Sequence, residues 1–215
     1  MQTFEDGNLR IVMDGPAGDF GNNIFIAIDK ETNEAVFIDA PGEPEKSIAA
    51  AEAAGVQPSA IFLTHSHPDH TAGIDALKER FGCHLVADAR EPWLTEGQPD
   101  QAIEHGQELK VGSLSFKVVS VPGHTPGSTT YLHNKSAFVG DTLFPGGPGR
   151  TKTNADLQQE IASITSELYA LPGDTAVYPG HGDTTTIEKS KEEYAVFAAK
   201  EHDPDLHGDV QWLTS

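Results

Sequence analysis

Cysteine, basic residues and long hydrophobic runs are all scarce in this sequence. The only cysteine, Cys83, has no partner for an internal disulfide, so a cytoplasmic location is the simplest expectation, and its apolar neighbours predict a buried packing role. Lys and Arg number 14 against 33 Asp and Glu, which gives a formal net charge of −19. A surface of this charge repels polynucleotides and anionic lipids, and we therefore expect no nucleic-acid partner.

The lack of long apolar runs argues against a membrane partner, because no stretch approaches the roughly 18 apolar residues that a membrane span requires. The first residues, Met1 to Asp6, contain neither a basic nor an apolar stretch, so no signal peptide is expected. A length of 215 residues suits a single domain that covers 1–215, and no linker or low-complexity tract divides it. The sequence gives no indication of the oligomeric state.

Apolar runs separated by turns predict two strand-rich parts, and each is followed by helical patterns. Strands are expected at 9–13, 24–28, 35–38, 60–63, 84–87, 108–111, 114–121, 129–132, 137–139 and 175–178. Helices are expected at 44–54, from His70 to Gly82, from Asp156 and from about Thr185. The short connections between the first strands favour antiparallel pairing. This order of elements predicts an α/β fold, a four-layer αββα sandwich of two packed sheets with helices outside.

The segment Thr64–His70 carries three histidines and an aspartate directly after a buried-strand pattern. Side chains alternate along an extended chain, so His65 and His67 point the same way. A proline then turns the chain before Asp69 and His70. One short segment therefore presents two pairs of metal ligands to two neighbouring points in space.

Three further candidate ligands, His124, Asp141 and His181, each follow a glycine near the end of a predicted strand. The complete set of predicted ligands is His65, His67, Asp69, His70, His124, Asp141 and His181. Imidazole and carboxylate ligands favour zinc, and the absence of a thiolate also admits iron or manganese. The set exceeds the needs of one tetrahedral ion but suits two divalent ions that share a bridging carboxylate and a bridging hydroxide.

The segment Thr64–His70, followed in order by the three downstream candidates, resembles the metallo-β-lactamase superfamily over nearly the whole chain. Within that superfamily, residues 122–128 and 140–144 are most similar to the glyoxalase II group, thioesterases that hydrolyse S-D-lactoylglutathione. Those enzymes usually carry a C-terminal helical substrate domain, and only 34 residues follow His181 here. The chain therefore looks most like the short bacterial glyoxalase II-like hydrolases, and its substrate stays open.

The resemblance implies a metal site at one edge of the sheets and a role for each ligand. It implies one ion held by His65, His67 and His124, a second held by Asp69, His70 and His181, and Asp141 as the bridge. It further implies a metal-dependent hydrolase of a small ester or thioester, in which the metal-bridging hydroxide attacks the carbonyl. Asp69 would orient that hydroxide as well as bind metal.

Arg150 and Lys152 lie shortly after Asp141 and are two of only 14 basic residues. They are candidates for binding a substrate carboxylate at the rim of the site. An ordinary exposed loop that leads into a helix accounts for them equally well. The five histidines outside the ligand set are expected to be structural or surface residues, and the acidic segment 202–207 is expected to be solvated.

Three alternatives to a glyoxalase II-like hydrolase stay open at this point. A persulfide dioxygenase of the same fold uses a single iron held by the counterparts of His65, His124 and Asp141, all of which are present. A lactonase of acylated signalling molecules also keeps the histidine and aspartate pattern. A non-catalytic metal-binding protein is the third alternative.

Overall fold

Two β-sheets lie face to face in the computed structural model, which describes residues 1–215, and helices cover their outer faces. The strands are β1 (Gln2–Asp6), β2 (Leu9–Ala17), β3 (Asn22–Asp29), β4 (Ala35–Ile38), β5 (Ala60–Phe62), β6 (His84–Ala87), β7 (Gln101–Ala102), β8 (Glu108–Val111), β9 (Leu114–Ser120), β10 (Thr129–His133), β11 (Ser136–Gly140), β12 (Leu143–Phe144), β13 (Gly147–Pro148), β14 (Ala176–Pro179) and β15 (Thr185–Thr186). The helices are α1 (Pro44–Ala54), α2 (Pro68–Thr71), α3 (Ile74–Phe81), α4 (Asn154–Ser163) and α5 (Ile187–Ala198).

The first sheet has seven strands in the order of the chain, from β1 to β7. Strands β1 to β4 are antiparallel neighbours, which confirms the expected pairing of the first strands. Strands β4 to β7 are parallel, so β4 and β5 end at the same edge of the sheet. This edge carries the loop that begins at Thr64.

The second sheet has six strands in the order β15-β14-β11-β10-β9-β8. Strands β11 and β14 are the only parallel neighbours in this sheet, and Gly140 is paired with Pro179 at the ends of the two strands. The residues that follow these strands, Asp141 and His181, therefore leave the sheet side by side.

Three buried apolar clusters lie between the layers. Strand β3 shows how they are formed, because its side chains alternate between the two faces of the sheet. Phe25 and Ala27 belong to the cluster between the sheets, whereas Ile24, Ile26 and Ile28 belong to the cluster shared with α1 and α3. The third cluster joins the second sheet to α4 and α5. These three clusters confirm the predicted four-layer αββα sandwich.

The start of α4 was predicted wrongly at Asp156. The helix begins at Asn154, and the Thr153 hydroxyl caps it by accepting a hydrogen bond from the Asp156 backbone N–H at 3.2 Å. A π-helical turn, Ile164–Leu168, continues the helix. Cys83 is buried, as predicted, and its thiol donates to the Pro58 carbonyl. None of the helices has the length and hydrophobicity needed to cross a membrane.

The chain after α5 packs back onto the domain. Residues 203–205 and His207 are exposed, as expected for the segment 202–207, whereas His202 and Leu206 are half-buried. The following residues turn inward, and the side chain of Trp212 is fully buried in the cluster that contains Phe197. The backbone N–H of Trp212 donates to the Gly146 carbonyl at 2.7 Å. The last residues thus hold the 145–152 loop close to the predicted ligands.

Candidate metal centre

The predicted ligands come together at one edge of the sandwich, just beyond the ends of four strands. His65 follows β5, His124 follows β9, Asp141 follows β11 and His181 follows β14. Asp69 and His70 lie on helix α2, and His67 is the residue that precedes it. The packing leaves no room for a side chain at Gly180, because a Cβ atom there would overlap Asp141 and His70.

The seven side chains form two groups of three around a shared carboxylate. The ligand atoms within each group lie within 4.8 Å of one another; the groups are His65, His67 and His124, and Asp69, His70 and His181. A third group at the same spacing, His65, His70 and Asp141, lies across these two. Asp141 contacts both groups: its Oδ2 lies 3.9 Å from His124 Nε2 and 3.4 Å from His181 Nε2. Its Oδ1 lies 3.3 Å from His70 Nε2.

The chemistry of these donors fits bound cations. The Nε2 atom of His65 and the Oδ1 atom of Asp141 are buried without a hydrogen-bond partner. His124 Nε2 and His67 Nδ1 face each other at 2.9 Å, and His70 Nε2 and His181 Nε2 face each other at 3.3 Å. Buried polar atoms left without partners are costly, and a metal ion would satisfy several of them at once.

The first group of histidines is held neutral. Burial, together with the neighbouring imidazoles, lowers the pKa of His65 well below its ordinary value and lowers the pKa of His67 to about 4. Burial also lowers the pKa of His124. A neutral imidazole has a free lone pair, which is the form that binds metal.

The second group is more strongly charged in the metal-free protein. Burial opposes the charging of His70 and His181, but the carboxylates outweigh it: Asp141 and Asp39 raise the pKa of His70, and Asp141 and Asp69 raise the pKa of His181 to about 9. The same contacts overcome burial and lower the pKa of Asp141 and of Asp69. The carboxylates thus favour positive charge at this position, which a bound metal ion would also supply.

Asp39 fixes His70 from the side opposite the centre. The His70 Nδ1–H donates to Asp39 Oδ2 at 2.8 Å, and the Thr64 N–H and hydroxyl donate to the same carboxylate at 2.7 and 2.8 Å. Asp39 is buried and has a φ of 61°, an uncommon conformation for a residue with a side chain. Sequence reasoning missed it, although it follows an apolar strand in the same manner as Asp141.

Three other ligand candidates have one polar atom fixed from outside the centre. His124 Nδ1–H donates to the Arg150 carbonyl at 2.9 Å, and His181 Nδ1–H donates to the Phe20 carbonyl at 3.1 Å. The Asn22 side chain donates to Asp69 Oδ2 at 2.9 Å. Such outer contacts set the tautomer and the orientation of the ring, so the other nitrogen faces the centre. Asn22, at the start of β3, had no signal in the sequence.

A buried carboxylate, Glu91, ties the two histidine loops together. It accepts hydrogen bonds from the Ser66 N–H at 2.6 Å, from the Thr125 hydroxyl at 2.5 Å and from the Gly127 N–H at 3.0 Å. Ser66 lies between His65 and His67, and Thr125 directly follows His124. Glu91 was missed because the sequence around it shows no regular pattern.

Arg150 and Lys152 lie at the rim of the centre. Together with Thr151, Gly208 and three histidines, His67, His124 and His207, they line a cavity of about 590 Å³. The Arg150 side chain is exposed and lies 3.6 Å from Asp209. The Lys152 ammonium lies over the ring of Trp93, 4.6 Å from its centroid. The structure thus brings both residues beside the histidine centre.

Comparison with known proteins identifies the family. The family model described as the Metallo-beta-lactamase superfamily matches residues 17–181. The chain belongs to this superfamily and is a metal-dependent hydrolase.

Two curated relatives are hydroxyacylglutathione hydrolases. The chain is 33% identical to hydroxyacylglutathione hydrolase GloC of Haemophilus influenzae, over 86% of this chain and 95% of that protein. It is 36% identical to the hydroxyacylglutathione hydrolase of Xanthomonas oryzae pv. oryzae, over 75% of this chain but only 62% of that longer protein. The chain is therefore similar to glyoxalase II-like proteins, in particular to one of about its own length.

Three solved structures share the fold. BLEG-1 B3 metallo-beta-lactamase matches at a TM-score of 0.75 and 30% identity, covering 84% of this chain and 97% of that one. ETHE1 from Myxococcus xanthus matches at a TM-score of 0.78 and 31% identity, covering 88% of this chain and 86% of that one. TTHA1623, in a di-iron-bound form, matches at a TM-score of 0.72 and 32% identity, covering 81% of this chain and 94% of that one.

Proposed function

We propose that the protein hydrolyses a small thioester or ester by means of two divalent metal ions. The observation that carries this proposal is the pair of three-residue ligand groups on either side of Asp141. One ion would be held by His65, His67 and His124, the other by Asp69, His70 and His181, with Asp141 shared. The likeness to hydroxyacylglutathione hydrolases supports thioesters as the substrate class.

The donor set suits zinc, and iron is the alternative. Imidazole and carboxylate ligands accept both metals when no thiolate is present. A solved relative of similar length has two iron ions, which supports a centre with two ions and keeps iron in consideration. Two ions bound here would lower the pKa of a water molecule and polarise the scissile carbonyl.

The chain's own residues orient the attacking water and the substrate. Asp69 is held through Oδ2 by Asn22 and by His181 at 3.2 Å, which leaves Oδ1 to accept a hydrogen bond from the attacking water. Hydrolysis then transfers the hydroxyl of the water to the acyl carbon and breaks the carbon–sulfur bond. The other proton of the water goes to the departing thiol. Asp69 would be the catalytic residue that holds or accepts this proton.

Arg150 and Lys152 are proposed to bind a carboxylate on the thiol side of the substrate. The cavity that they line has no apolar side chain. An acidic protein of net charge −19 would repel an anionic substrate unless local cations attract it. These two side chains provide such cations beside the centre.

A matched pair of variants tests the proposal. Asp141→Ala removes the shared carboxylate, whereas Asp183→Ala removes an exposed carboxyl that forms no ion pair with His181. We expect the first variant to lose metal and the hydrolysis of lactoylglutathione together, while the second keeps both. Hydrolysis by metal-free Asp141→Ala at the wild-type rate would contradict the mechanism. If the wild-type protein instead consumed oxygen with glutathione persulfide and hydrolysed no thioester, the result would favour a persulfide dioxygenase over the proposed hydrolase.

A further inference from the structure

A second cavity, of about 700 Å³, opens beside His124 and has no role in the proposed mechanism. We refer to it as the Trp93 cavity. Its apolar walls are the side chains of Trp93 and of three prolines, Pro92, Pro122 and Pro126. Lys152 also lines it, so the cavity meets the polar cavity described above at His124 and Lys152.

Trp93 is a fixed aromatic surface next to the ligand candidates. Its ring centroid lies 4.6 Å from that of His67. Its backbone N–H donates to the Ser66 hydroxyl at 3.1 Å, and the nearby Glu91 carboxylate accepts from the Ser66 N–H. The side chain is nevertheless 42% exposed. An exposed indole that contacts His67 on one side is suited to pack against a ligand, because its ring offers a large apolar face.

Lys152 is the cation at this junction that has no carboxylate partner. Arg90, which also lines the Trp93 cavity, is bound to Asp88, and Arg150 lies beside Asp209. No carboxylate lies within 4.0 Å of Lys152, whose ammonium rests on the Trp93 ring. A cation on an aromatic face is held weakly at an exposed site, so a ligand can displace it.

The two cavities match the two parts of a thioester. The polar cavity has no apolar side chain, whereas the Trp93 cavity has an indole and three prolines on its walls, with Arg90, Asp156 and Gln159 among its polar residues. We propose that the Trp93 cavity binds the acyl group of the substrate and selects an aromatic or otherwise planar apolar acyl group. The thiol part then occupies the polar cavity. This inference rests on the proposed thioesterase function and specifies its substrate class.

Kinetics with two thioesters of the same thiol test the inference. The substrates are phenylacetyl-glutathione and acetyl-glutathione, and the variants are Trp93→Ala and Trp93→Phe. We expect Trp93→Ala to raise KM for the phenylacetyl thioester by about tenfold, with kcat little changed, because the packing of one ring is lost. KM for the acetyl thioester should stay within about twofold, since a methyl group hardly reaches the ring. Trp93→Phe should resemble the wild type.

The control is Val196→Ala, which shortens an exposed apolar side chain on α5 that lines neither cavity. It should leave both KM values unchanged. If Trp93→Ala raised KM equally for the two substrates, or for neither, the acyl subsite would be refuted.

Binding without turnover is measured by tryptophan fluorescence. The chain has two tryptophans, and only Trp93 is exposed, since Trp212 is fully buried. We expect S-benzyl-glutathione, a thioether that cannot be hydrolysed, to quench the wild-type signal and not that of Trp93→Phe. Quenching without hydrolysis of any thioester would refute the proposed function and support the aromatic subsite. Hydrolysis of thioesters without quenching would support the function and refute the subsite.

Discussion

The Nδ1–H of His70 donates to the carboxylate of Asp39 at 2.8 Å, and both side chains are buried. This contact turns the other ring nitrogen, Nε2, toward Asp69 and Asp141. It also ties the group that contains His70 to the first sheet, because Asp39 follows β4 and His70 lies on α2. Asp39 therefore positions a ligand without facing the centre itself.

Asp39→Asn should weaken metal binding while the protein still folds. Asparagine keeps the shape of the side chain but loses the charge that holds the His70 ring. We expect the affinity for the metal to fall by about 10–100-fold, which is the usual effect of changing an outer partner of a metal-binding histidine. Competition with a coloured chelator measures it. Asp183→Asn is the control, and an unchanged affinity in Asp39→Asn would show that Asp39 has no such role.

Glu91→Gln should lower stability and loosen the two histidine loops. The Glu91 carboxylate accepts three hydrogen bonds, and a neutral amide would leave at least one donor without an acceptor. The loss of a buried charged acceptor should decrease the free energy of unfolding by about 2–3 kcal/mol. Urea denaturation of the metal-free protein measures this change. A decrease in the free energy of unfolding of less than about 0.5 kcal/mol, as is typical of surface substitutions, would show that Glu91 does not hold the two loops together.

Asp29 should make stability depend on pH in the acid range. Burial alone would raise the pKa of this carboxyl, but hydrogen bonds from the backbone N–H groups of Ser113 and Glu31 outweigh it and lower the pKa to about 2. Because the pKa is lower in the folded protein than the ordinary value of 3.8, the stabilisation is present above pH 3.8 and is lost as the pH falls through about 2.

Asp29→Asn removes that contribution. We expect a lower Tm than the wild type at pH 7 and the same Tm near pH 2. Scanning calorimetry at a series of pH values measures the difference. A difference that stays constant down to pH 2 would show that the charge of Asp29 is not the cause.

Glu160 should make the protein less stable as the pH rises, which is opposite to the effect of Asp29. Burial raises the pKa of its carboxyl well above the ordinary value, and one carboxyl oxygen has no hydrogen-bond partner. The folded protein therefore keeps this proton at a pH where the unfolded chain has lost it, so stability falls as the pH rises above 4.5.

Glu160→Gln keeps the shape of the side chain and removes the ionisation. We expect the variant to gain stability relative to the wild type as the pH rises from 5 to 8, with chemical denaturation as the measurement. If the difference in the free energy of unfolding between the variant and the wild type did not grow over this range, a neutral Glu160 would be contradicted.

The clustering of the candidate ligands was predictable because they carry a local pattern. The segment 64–70 concentrates four candidate ligands, and Asp141 and His181 each follow a strand and a glycine. Hydrophobic periodicity likewise predicted most strands, as in the fully buried β3. Strand β1 was missed because its residues are polar and it lies at the edge of the first sheet.

The residues that support the site could not be predicted in this way. Asn22 and Asp69 are 47 positions apart, and Glu91 reaches residues 25 and 34 positions away. These contacts depend on how the two sheets are packed and leave no periodic trace in the chain. The same holds for Trp93, whose neighbours His67 and Lys152 come from different loops.

The proposed mechanism needs two metal ions on one chain. Its test is to add zinc, or iron without oxygen, in steps to the metal-free protein while thioester hydrolysis is followed. Activity should rise to a plateau at two ions per chain, and elemental analysis of the active protein should find two. Full hydrolysis with a single bound ion, or without any, would contradict it.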